Sequence, residues 1–306
     1  MRKVAVVTTG FFDGVHLGHR HVIETLVSCA RERGQEAIVV TFWPHPRTVL
    51  QQDARDFRIL TTLEEKKRML AAMGVDRVEV IPFTREFASL TAREYLKLLK
   101  DKYHASVIVM GYDNRLGSDQ KTFRELAGSS LKKVVFADGE VEMVGSSLKK
   151  AIFADDAAVS STVIRKALLA GDVAAANAML GYEYELTGAV VSGNRLGRTI
   201  GFPTANLQLY EPLKLVPGNG VYCVEVEVLG VKYRGMCNIG NRPTVGGVTR
   251  TIETHILDFD QDIYGLPLTL RFERRIRDER KFASLEELRK QLEQDRDECR
   301  ARACNE

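Results

Sequence analysis

Two different hydrophobic periods divide this chain of 306 residues and restrict the folds that are open to it. In the first 110 residues, continuous apolar runs of strand length occur at 4–7, 37–42, 78–83 and 107–110. Helical patterns separate them, at about 17–33, 63–73 and 92–103. Unbroken apolar strands joined through helices are typical of a parallel sheet that is buried on both faces. The first period therefore predicts an α/β domain.

The second period begins beyond residue 183. Apolar side chains at 222, 224, 226 and 228 alternate with Cys223, Glu225 and Glu227, which is the pattern of a half-exposed antiparallel strand. Similar patterns follow at 232–237, 251–258 and 268–275, with glycine and proline in the turns. This part of the sequence predicts a small antiparallel β-barrel. We place one domain at 1–182 and the other at 183–306.

Helices precede and follow the predicted barrel. The patterns at 161–170 and 173–180 each end at a glycine. The chain closes with a single amphipathic helix, which Ser284 and Glu287 are predicted to start as a capping box. Its predicted apolar stripe consists of Leu285, Leu288 and Leu292.

Composition excludes several classes of function. The 44 basic and 41 acidic residues leave a net charge of +3, which is too small to indicate nucleic-acid binding. No apolar run approaches the length of a membrane span, and the first strand begins too early for a signal peptide. Five cysteines without paired spacing indicate a reducing compartment, with Cys29, Cys223 and Cys237 as buried apolar residues. The sequence therefore predicts a cytoplasmic protein.

A short internal repeat interrupts this order. The segment GSSLKKVVFAD at 128–138 returns as GSSLKKAIFAD at 145–155. A repeat of this length that occurs only twice is not a solenoid. We interpret it as a local duplication that yields two short edge strands, and we assign no chemistry to it.

The residues GFFDGVHLGH follow the first predicted strand and lead directly into a helix. His16 and His19 are three apart, so at a helix start they share one face. A helix start also presents unpaired N–H groups and the positive end of the helix dipole, which suit a phosphate. Imidazole donors there would stabilise charge on an attacked α-phosphate. The alternative is a pair of surface histidines at a helix cap.

This segment resembles the signature of the HxGH nucleotidylyltransferase superfamily, in the form found in bacterial FMN adenylyltransferases. The resemblance implies a Rossmann-like fold in which His16 and His19 are catalytic. It assigns the bound ATP to the surrounding turn, namely Gly10, Phe11, Asp13 and Gly14.

A later segment, SSTVIR at 160–165, resembles the second signature of that family, Ser-Ser-Thr-x-x-Arg. The resemblance assigns the ATP phosphates to Ser161, Thr162 and Arg165. Hydroxyl groups at a helix N-cap with an arginine in the first turn also form an anion clamp on physical grounds. The alternative is an ordinary capped helix with a solvated arginine.

Two more segments follow predicted strands, where ligands of α/β proteins collect. Pro44, His45 and Pro46 resemble the family's flavin-binding Pro-His-Pro loop, although a merely rigid turn is the alternative. The segment GYDNRLG at 111–117 resembles the family pattern G-x-D-F-x-F-G and implies that Asp113 contacts the nucleotide. Here asparagine and leucine replace the two aromatic residues that are usual in the pattern.

The segment 193–206, GNRLGRTIGFPTAN, is a glycine-rich cationic loop suited to phosphates, and it lacks the GK[ST] of a P-loop. Thr204 and Asn206 point the same way if extended, and paired oxygen donors suit Mg²⁺ with ATP. The alternative is a solvated hairpin. The segment resembles the Mg-ATP motif of the riboflavin kinase family. The resemblance assigns the phosphates to Gly193, Arg195, Gly197, Arg198, Gly201 and Pro203, and the metal to Thr204 and Asn206.

Three further segments extend the resemblance to riboflavin kinases. The strand 251–258 matches the one that bears the family's catalytic glutamate, which implies that Glu253 is the general base for the terminal ribityl hydroxyl of riboflavin. We interpret His255 as a structural neighbour of this site. The segments 238–244 and 277–282 resemble the family's mobile loop and flavin-closing segment, which assigns the flavin to Arg242, Arg277, Lys281 and Phe282.

The resemblance covers nearly the whole chain, in the order of the bacterial bifunctional riboflavin kinase/FMN adenylyltransferases. It implies that ATP phosphorylates riboflavin to FMN and then adenylylates FMN to FAD, with Mg²⁺ in both steps. The implied partners are riboflavin, FMN and ATP, without nucleic acid or membrane, and a homo-oligomer is left open. The alternative is a riboflavin kinase alone, with a decayed nucleotide- or flavin-binding first domain. A flavin-sensing transcription regulator would need a DNA-reading element, and the sequence shows none.

Overall fold

The computed structural model describes residues 4–50, 56–111, 114–122, 125–126, 133–136, 139–145, 159–193, 196–244 and 247–301. Contacts between residues divide the chain into two compact units, Met1–Ser161 and Thr162–Glu306. Each unit has a fold of its own.

The first unit is an α/β fold built on a six-stranded sheet. Its strands are β1 (Ala5–Thr9), β2 (Glu36–Trp43), β3 (Arg77–Pro82), β4 (Ala105–Met110), β5 (Arg115–Leu116), β6 (Lys121–Thr122), β7 (Lys133–Phe136) and β8 (Gly139–Gly145). Its helices are α1 (Leu17–Arg33), α2 (Pro46–Leu50), α3 (Leu63–Ala72), α4 (Arg85–Ala88) and α5 (Ala92–Tyr103). The sheet has the order β3-β2-β1-β4-β8-β7, and β5 and β6 form a separate ladder. Only the β7–β8 pair of the main sheet is antiparallel, which confirms the predicted Rossmann-like parallel sheet.

The central strand β1 is buried on both faces, as its unbroken apolar run predicts. Ala5 and Val7 pack in a cluster with residues of α5, whereas Val6 packs in a second cluster with residues of α1. Strand β2 lies on one side of β1 and strand β4 on the other, so the order of the strands reverses direction at β1. Ligands of open α/β sheets bind at such a switch point, beyond the carboxyl ends of the strands.

The internal repeat supplies the edge of this sheet. Strand β7 lies within the first copy and pairs with β8 in an antiparallel ladder at the end of the sheet. The first copy therefore forms the edge strand that we predicted. The second copy lies outside the described residues, apart from its first glycine.

The second unit is a closed antiparallel barrel with helices before and after it. Its helices are α6 (Ser161–Leu169, which begins at the last residue of the first unit), α7 (Val173–Leu180), α8 (Leu196–Thr199) and α9 (Leu285–Arg300). Its strands are β9 (Tyr184–Val191), β10 (Ala205–Leu209), β11 (Gly220–Val228), β12 (Val231–Thr244), β13 (Gly247–Ile256) and β14 (Pro267–Arg277). The barrel has the order β10-β13-β12-β11-β14-β9, and β9 closes it by pairing with both β10 and β14. This closure confirms the predicted barrel.

Helices α6 and α7 are grouped with the barrel by their contacts. The Asn177 amide donates to the Phe272 carbonyl at 2.7 Å and accepts the Tyr184 N–H at 2.8 Å. The Gly218 N–H donates to the Leu168 carbonyl at 2.7 Å. The contacts therefore divide the chain about 20 residues earlier than the domain boundary that we placed at residue 183.

The terminal helix α9 begins at Ser284, but its cap differs from the predicted box. The Ser284 hydroxyl accepts the Glu287 N–H at 3.2 Å, as predicted. The Glu287 carboxylate accepts the N–H of Ala283, one residue earlier than a capping box requires. Leu285 is 53% exposed, so the predicted apolar stripe is wrong at its first member. Leu292 packs in a small apolar cluster of the barrel.

A disulfide also attaches α9 to the barrel. It joins Cys223 of β11 to Cys299 of α9, with 5.4 Å between their Cα atoms. Cys223 is buried, as predicted, but it is disulfide-bonded to a partner 76 residues away, and no local spacing indicates this pair. The disulfide does not fit the reducing compartment that the cysteine spacing predicted. Cys29 and Cys237 are free and buried, as predicted.

We predict that Asp295→Asn destabilises the barrel unit by about 3 kcal/mol, because it removes the charged partner of the partly buried Arg277 guanidinium. Asp295 is 2% exposed, and its carboxylate accepts two nitrogens of Arg277 at 2.7 to 3.1 Å. Urea denaturation followed by circular dichroism measures the loss. The matched control is Glu293→Gln on the same helix, which removes an exposed pair with Arg289 and should change stability by less than about 0.5 kcal/mol. Equal effects of the two variants would contradict the prediction.

Candidate active sites

The turn between β1 and α1, residues 10–16, forms the first candidate site. The Gly10 N–H donates to the Val40 carbonyl of β2 at 3.1 Å and holds the turn to the sheet. Phe12 and Val15 have φ angles of 51° and 38°, in the left-handed region that residues with a side chain avoid. Such strain persists only where the surrounding structure holds the backbone. The rest of the unit therefore enforces the shape of this turn.

Asp13 anchors the turn from within. It is 4% exposed, and its Oδ1 accepts the N–H groups of Leu60 and Thr61 at 2.9 and 3.1 Å. The Gly14 N–H donates to the Thr61 hydroxyl at 3.0 Å. These contacts are those of a residue that shapes the loop. The assignment of Asp13 and Gly14 to bound ATP stays a prediction.

His16 and His19 begin α1 as a stacked pair. His16 is the N-cap, and its Nδ1 accepts the His19 N–H at 3.4 Å. The two ring centroids are 3.6 Å apart, and the ring planes are inclined by 19°. A Cβ at Gly18 would lie 3.3 Å from the His16 ring, so the glycine between the histidines allows their close approach. The structure therefore brings together the two histidines predicted from the sequence.

The environment of His19 favours its neutral form. Burial lowers the pKa of His19 well below its ordinary value, because the charged imidazolium is poorly solvated there. The nearby His16 and the ammonium of Lys66 lower this pKa further. The Nδ1 atom of His19 is buried and has no hydrogen-bond partner among the described residues. A neutral imidazole in this state is able to bind a ligand atom without losing an existing bond.

The predicted flavin loop lies against the turn. The His45 ring contacts the Phe11 ring, with 4.0 Å between centroids and an inclination of 67°. The His45 Nδ1 accepts the Arg47 N–H at 3.0 Å, and Pro46 begins α2. Pro44 is exposed at the end of β2. A segment assigned to flavin and a segment assigned to ATP are therefore neighbours.

The segment 160–165 also starts at this turn. The Ser161 hydroxyl donates to the Asp13 carbonyl at 2.9 Å. On α6, Thr162 is exposed and Arg165 is half-buried. The contact brings Ser161, which is far along the chain, to the histidine-bearing turn.

The segment 111–117 meets the end of β1. The Asn114 amide donates to the Thr9 carbonyl at 3.1 Å, and Leu116 packs in the apolar cluster under α5. Both positions that depart from the family pattern therefore have structural contacts. Asp113 lies outside the described residues.

The loop 193–206 forms the second candidate site. A Cβ at Gly193 would lie 2.3 Å from the Asn206 amide nitrogen, so a side chain at this position would displace the amide. Gly197 is equally constrained, because its Cβ would lie 2.1 Å from the Phe202 carbonyl oxygen. The loop therefore folds closely upon itself. Arg195 of the same loop lies outside the described residues.

A pocket opens beside this loop. Arg198, Pro203 and Thr204 line it, and Gly201 lies exposed in the same loop. Their assignment to Mg-ATP stays a prediction. The other walls of the pocket come from β9, β10, β13 and the following loop, namely Val190, Ala205, Thr254, Ile256, Phe259, Gln261, Asp262, Ile263 and Tyr264. The sequence analysis missed the wall at 259–264. The apolar residues Phe259, Ile263 and Tyr264, spaced among polar ones, were the available signal.

Strand register gathers three polar side chains on one face of the barrel. Asn206 of β10 is directly opposite Glu253 of β13, and Glu253 is directly opposite Asn238 of β12. Directly opposed residues share a face and lie in side-chain contact range. Thr204 lies two residues before Asn206. Glu253 and Asn206 were predicted as site residues from the sequence. Asn238 was not, because its position opposite Glu253 depends on the register of β12 and β13.

His255 holds the turn that leads into β10. Its Nδ1 lies 2.8 Å from the Pro203 carbonyl, and its ring meets the Phe202 ring at 5.1 Å. Burial lowers the pKa of His255, the Pro203 bond opposes this, and the charges of Arg296 and Arg300 lower it further. The neutral imidazole therefore donates through Nδ1. This is the structural role that we predicted for it.

The segment 277–282 has a structural partner of its own. The Arg277 guanidinium is bound to the buried carboxylate of Asp295, so it holds α9 to the barrel. Lys281 is exposed, and the guanidinium of Arg280 lies 4.7 Å from the Phe282 ring. Flavin binding by this segment stays a prediction.

Arg242 lies in the β12–β13 ladder. Its backbone is paired with that of Thr249, and the structure describes only the backbone at this position. Its contact with flavin also stays a prediction.

The donors at the second site suit a metal carried by phosphates. Within the described ranges, no group of three or more His, Cys, Asp or Glu side chains is arranged to hold a metal ion. Thr204 and Asn206 offer neutral oxygen atoms instead, and Mg²⁺ is typically bound by a few protein oxygens together with water and substrate phosphates.

In the described part of the chain, no helix is both long and apolar enough to span a membrane.

Comparisons with known proteins agree with this division into two units. A family model described as FAD synthetase matches residues 1–161, and one described as riboflavin kinase matches residues 180–303. The bifunctional riboflavin kinase/FMN adenylyltransferase of Bacillus subtilis is 37% identical, over 96% of this chain and 91% of that protein. The enzyme of the same description from Escherichia coli K12 is 38% identical, and the match covers 95% of this chain and 90% of the E. coli protein.

A solved structure resembles nearly the whole chain. It is described as a macrolide-efflux protein from Streptococcus pneumoniae and is 36% identical in sequence. The match covers 98% of this chain and 95% of that one, with a TM-score of 0.88. The described efflux activity belongs to that protein.

We predict that His19 stays neutral at pH values well below 6.5, which is about the usual pKa of histidine. As the pH falls below that value, the unfolded state binds a proton that folded His19 refuses, so the free energy of unfolding decreases until the folded pKa is reached. Titration of the histidine Cε1–H signals by NMR measures this pKa, and His16→Asn should raise it by removing one of its causes. An ordinary pKa for His19 in the folded protein would contradict the geometry.

Proposed function

The chain belongs to the bifunctional riboflavin kinase/FMN adenylyltransferase family, and from that premise we propose that it makes FMN from riboflavin and FAD from FMN. One observation carries the proposal. Each family match falls on a unit that contains its own cluster of candidate catalytic groups: the stacked His16 and His19 in one, and Glu253 with Asn206 in the other. The chain is therefore a transferase with two ATP-dependent activities.

In the barrel unit, Glu253 is the general base. Its carboxylate takes the proton of the terminal ribityl hydroxyl as that oxygen attacks the γ-phosphate of ATP, and ADP leaves. The paired amides of Asn206 and Asn238 flank Glu253 and orient it. The glycine-rich loop wraps the phosphates, with Arg195 and Arg198 neutralising their charge.

The same unit binds Mg²⁺ together with ATP. Thr204 and Asn206 fit this ion because they offer hard oxygen donors next to the phosphate loop. When bound, Mg²⁺ neutralises charge on the transferring phosphate. The pocket beside Thr204, with Phe259 and Tyr264 in its wall, takes the remainder of the nucleotide.

In the first unit, a phosphate oxygen of FMN attacks the α-phosphate of ATP and pyrophosphate leaves. His16 and His19 hydrogen-bond the α-phosphate oxygens as their charge grows. Ser161, Thr162 and Arg165 hold the outer phosphates. The contact of His45 with Phe11 supports a flavin on the Pro44–Pro46 side of the same turn.

We assign both activities to the cytoplasm, where ATP is supplied. The cysteines do not decide this assignment, since Cys29 and Cys237 are free thiols whereas Cys223 and Cys299 form a disulfide. The alternative of a kinase with a decayed first domain has less support, since the two replaced aromatic positions, Asn114 and Leu116, are well packed and the histidine pair is intact.

We predict that Glu253→Gln lowers the rate of FMN formation by about 10²- to 10⁴-fold, because the general base is lost. FAD formation from supplied FMN should be unchanged in the same sample. Chromatography that separates riboflavin, FMN and FAD measures both. Glu227→Gln, on strand β11 of the same barrel, is the matched control and should leave both activities intact, because β12 separates β11 from the strand of Glu253. Loss of both activities in Glu253→Gln would refute separate sites.

The reciprocal variant is His19→Asn. It should lower pyrophosphate release from FMN and ATP by about 10²- to 10³-fold, the usual effect of removing one donor to a charged transition state. Phosphorylation of riboflavin should continue at the rate of the unaltered protein. A full rate of pyrophosphate release in this variant would remove His19 from the mechanism.

A further inference from the structure

A lysine that the sequence analysis did not single out lies beneath the first site. Lys66 of α3 is completely buried. Its Nζ donates to the Phe11 carbonyl at 2.5 Å and lies 3.4 Å from the Thr41 hydroxyl. The same ammonium is 3.7 Å from the centre of the Phe11 ring. Lys66 therefore contacts both the backbone and the side chain of one residue in the strained turn.

A buried ammonium at this position is costly. Removing a charged amine from water is unfavourable unless other groups replace its hydration, and an apolar side chain of similar volume would avoid the penalty. The replacement here is partial: one carbonyl, one distant hydroxyl, one ring face and the charge of Asp13. Packing alone does not account for a lysine here, so its charge and its hydrogen bond need a reason.

The Phe11 carbonyl connects Lys66 to the shape of the turn. It also accepts the Thr41 hydroxyl at 3.3 Å, so two side chains from α3 and β2 hold one peptide. The next residue is Phe12, with its left-handed φ, and the turn then runs to His16. Fixing the Phe11 peptide therefore restrains the backbone that leads into the histidine pair.

The charge of Lys66 also reaches the histidines directly. It is one of the causes that lower the pKa of His19, together with burial and His16. The charged or titratable groups that act on Lys66 are Asp13, from the turn, and His19, from α1, with Glu65 next to it on its own helix. Burial lowers the pKa of Lys66 to about 8, and the carboxylate of Asp13 opposes this shift.

We propose that Lys66 is a positioning residue of the nucleotidyl-transfer site: its buried ammonium fixes the Phe11 peptide, keeps His19 neutral and supplies positive charge behind the ATP-binding turn. It does not touch the substrate, since the Phe11 residue lies between. The inference rests on the proposed FAD-forming activity of the first unit. Deprotonation of Lys66 weakens FAD formation at alkaline pH and leaves riboflavin phosphorylation, which uses the other unit, unaffected.

The test compares Lys66→Met, which loses the charge and the donor, with Lys66→Gln, which keeps a donor without the charge. The control is Lys67→Met, the next residue, whose partly exposed ammonium pairs with Glu64. We expect kcat/KM for ATP in FAD formation to fall by about tenfold or more in Lys66→Met, the effect of losing a charge-assisted hydrogen bond. Lys66→Gln should fall between Lys66→Met and the unaltered protein, and Lys67→Met should match the unaltered protein.

Two readouts distinguish positioning from simple support of the fold. In the unaltered protein, FAD formation should decline above about pH 8 relative to riboflavin phosphorylation, and this decline should be absent in both Lys66 variants. In NMR titrations, both variants should raise the pKa of His19, because a nearby positive charge is gone. The second readout needs no turnover, so it tests Lys66 even if the unaltered protein made no FAD, a result that would refute the proposed function instead.

The fluorescence of Trp43, the single tryptophan, reports folding of the first unit in each variant. If Lys66→Met does not fold, the proposal is tested by Lys66→Gln and by the rate of FAD formation in the unaltered protein at alkaline pH. An unchanged pKa of His19 in a folded variant, or an alkaline decline that persists without Lys66, would overturn the proposal.

Discussion

The opposite charges of Asp13 and Lys66 beneath the β1–α1 turn are the feature on which the first site depends. Asp13 binds the backbone N–H groups of segment 60–61, and Lys66 binds the Phe11 carbonyl. The turn is thus held near its start, at Phe11, and at its middle, at Asp13, by buried, charge-assisted bonds, which are stronger than bonds between neutral groups. This support explains how a backbone with two strained residues persists and aims both histidines at the start of a helix.

The barrel unit reaches the same precision through register. Strand β13 is paired on both edges, with β10 and with β12, so its register is specified twice. A slip of one residue would turn Glu253 to the other face of the sheet. The glycines of the phosphate loop add a second constraint, since the close approach of Gly193 to Asn206 leaves no space for a side chain. A carboxylate, two amides and a phosphate loop are therefore brought together by backbone pairing more than by side-chain packing.

Features that depend on neighbouring residues were predictable, and features that depend on distant ones were not. The α/β order, the barrel strands and the start of α9 follow from local periodicity and capping. The exposure of Leu285 does not, because it depends on how much of α9 the barrel covers. The disulfide of Cys223 and the ion pair of Arg277 were not predictable for the same reason: their partners on α9, Cys299 and Asp295, are remote in sequence.

The sequence by itself determined the two fold classes, their order and the segments that we assign to phosphate in the proposed function, because periodicity, glycine placement and short motifs are local properties of the chain. Only the tertiary structure decided that His19 is neutral, that a buried lysine lies behind the first site and that Asn238 flanks Glu253. These properties arise from desolvation and from strand pairing between residues far apart in the chain. Burial and register are set by the whole fold, so no local pattern contains them.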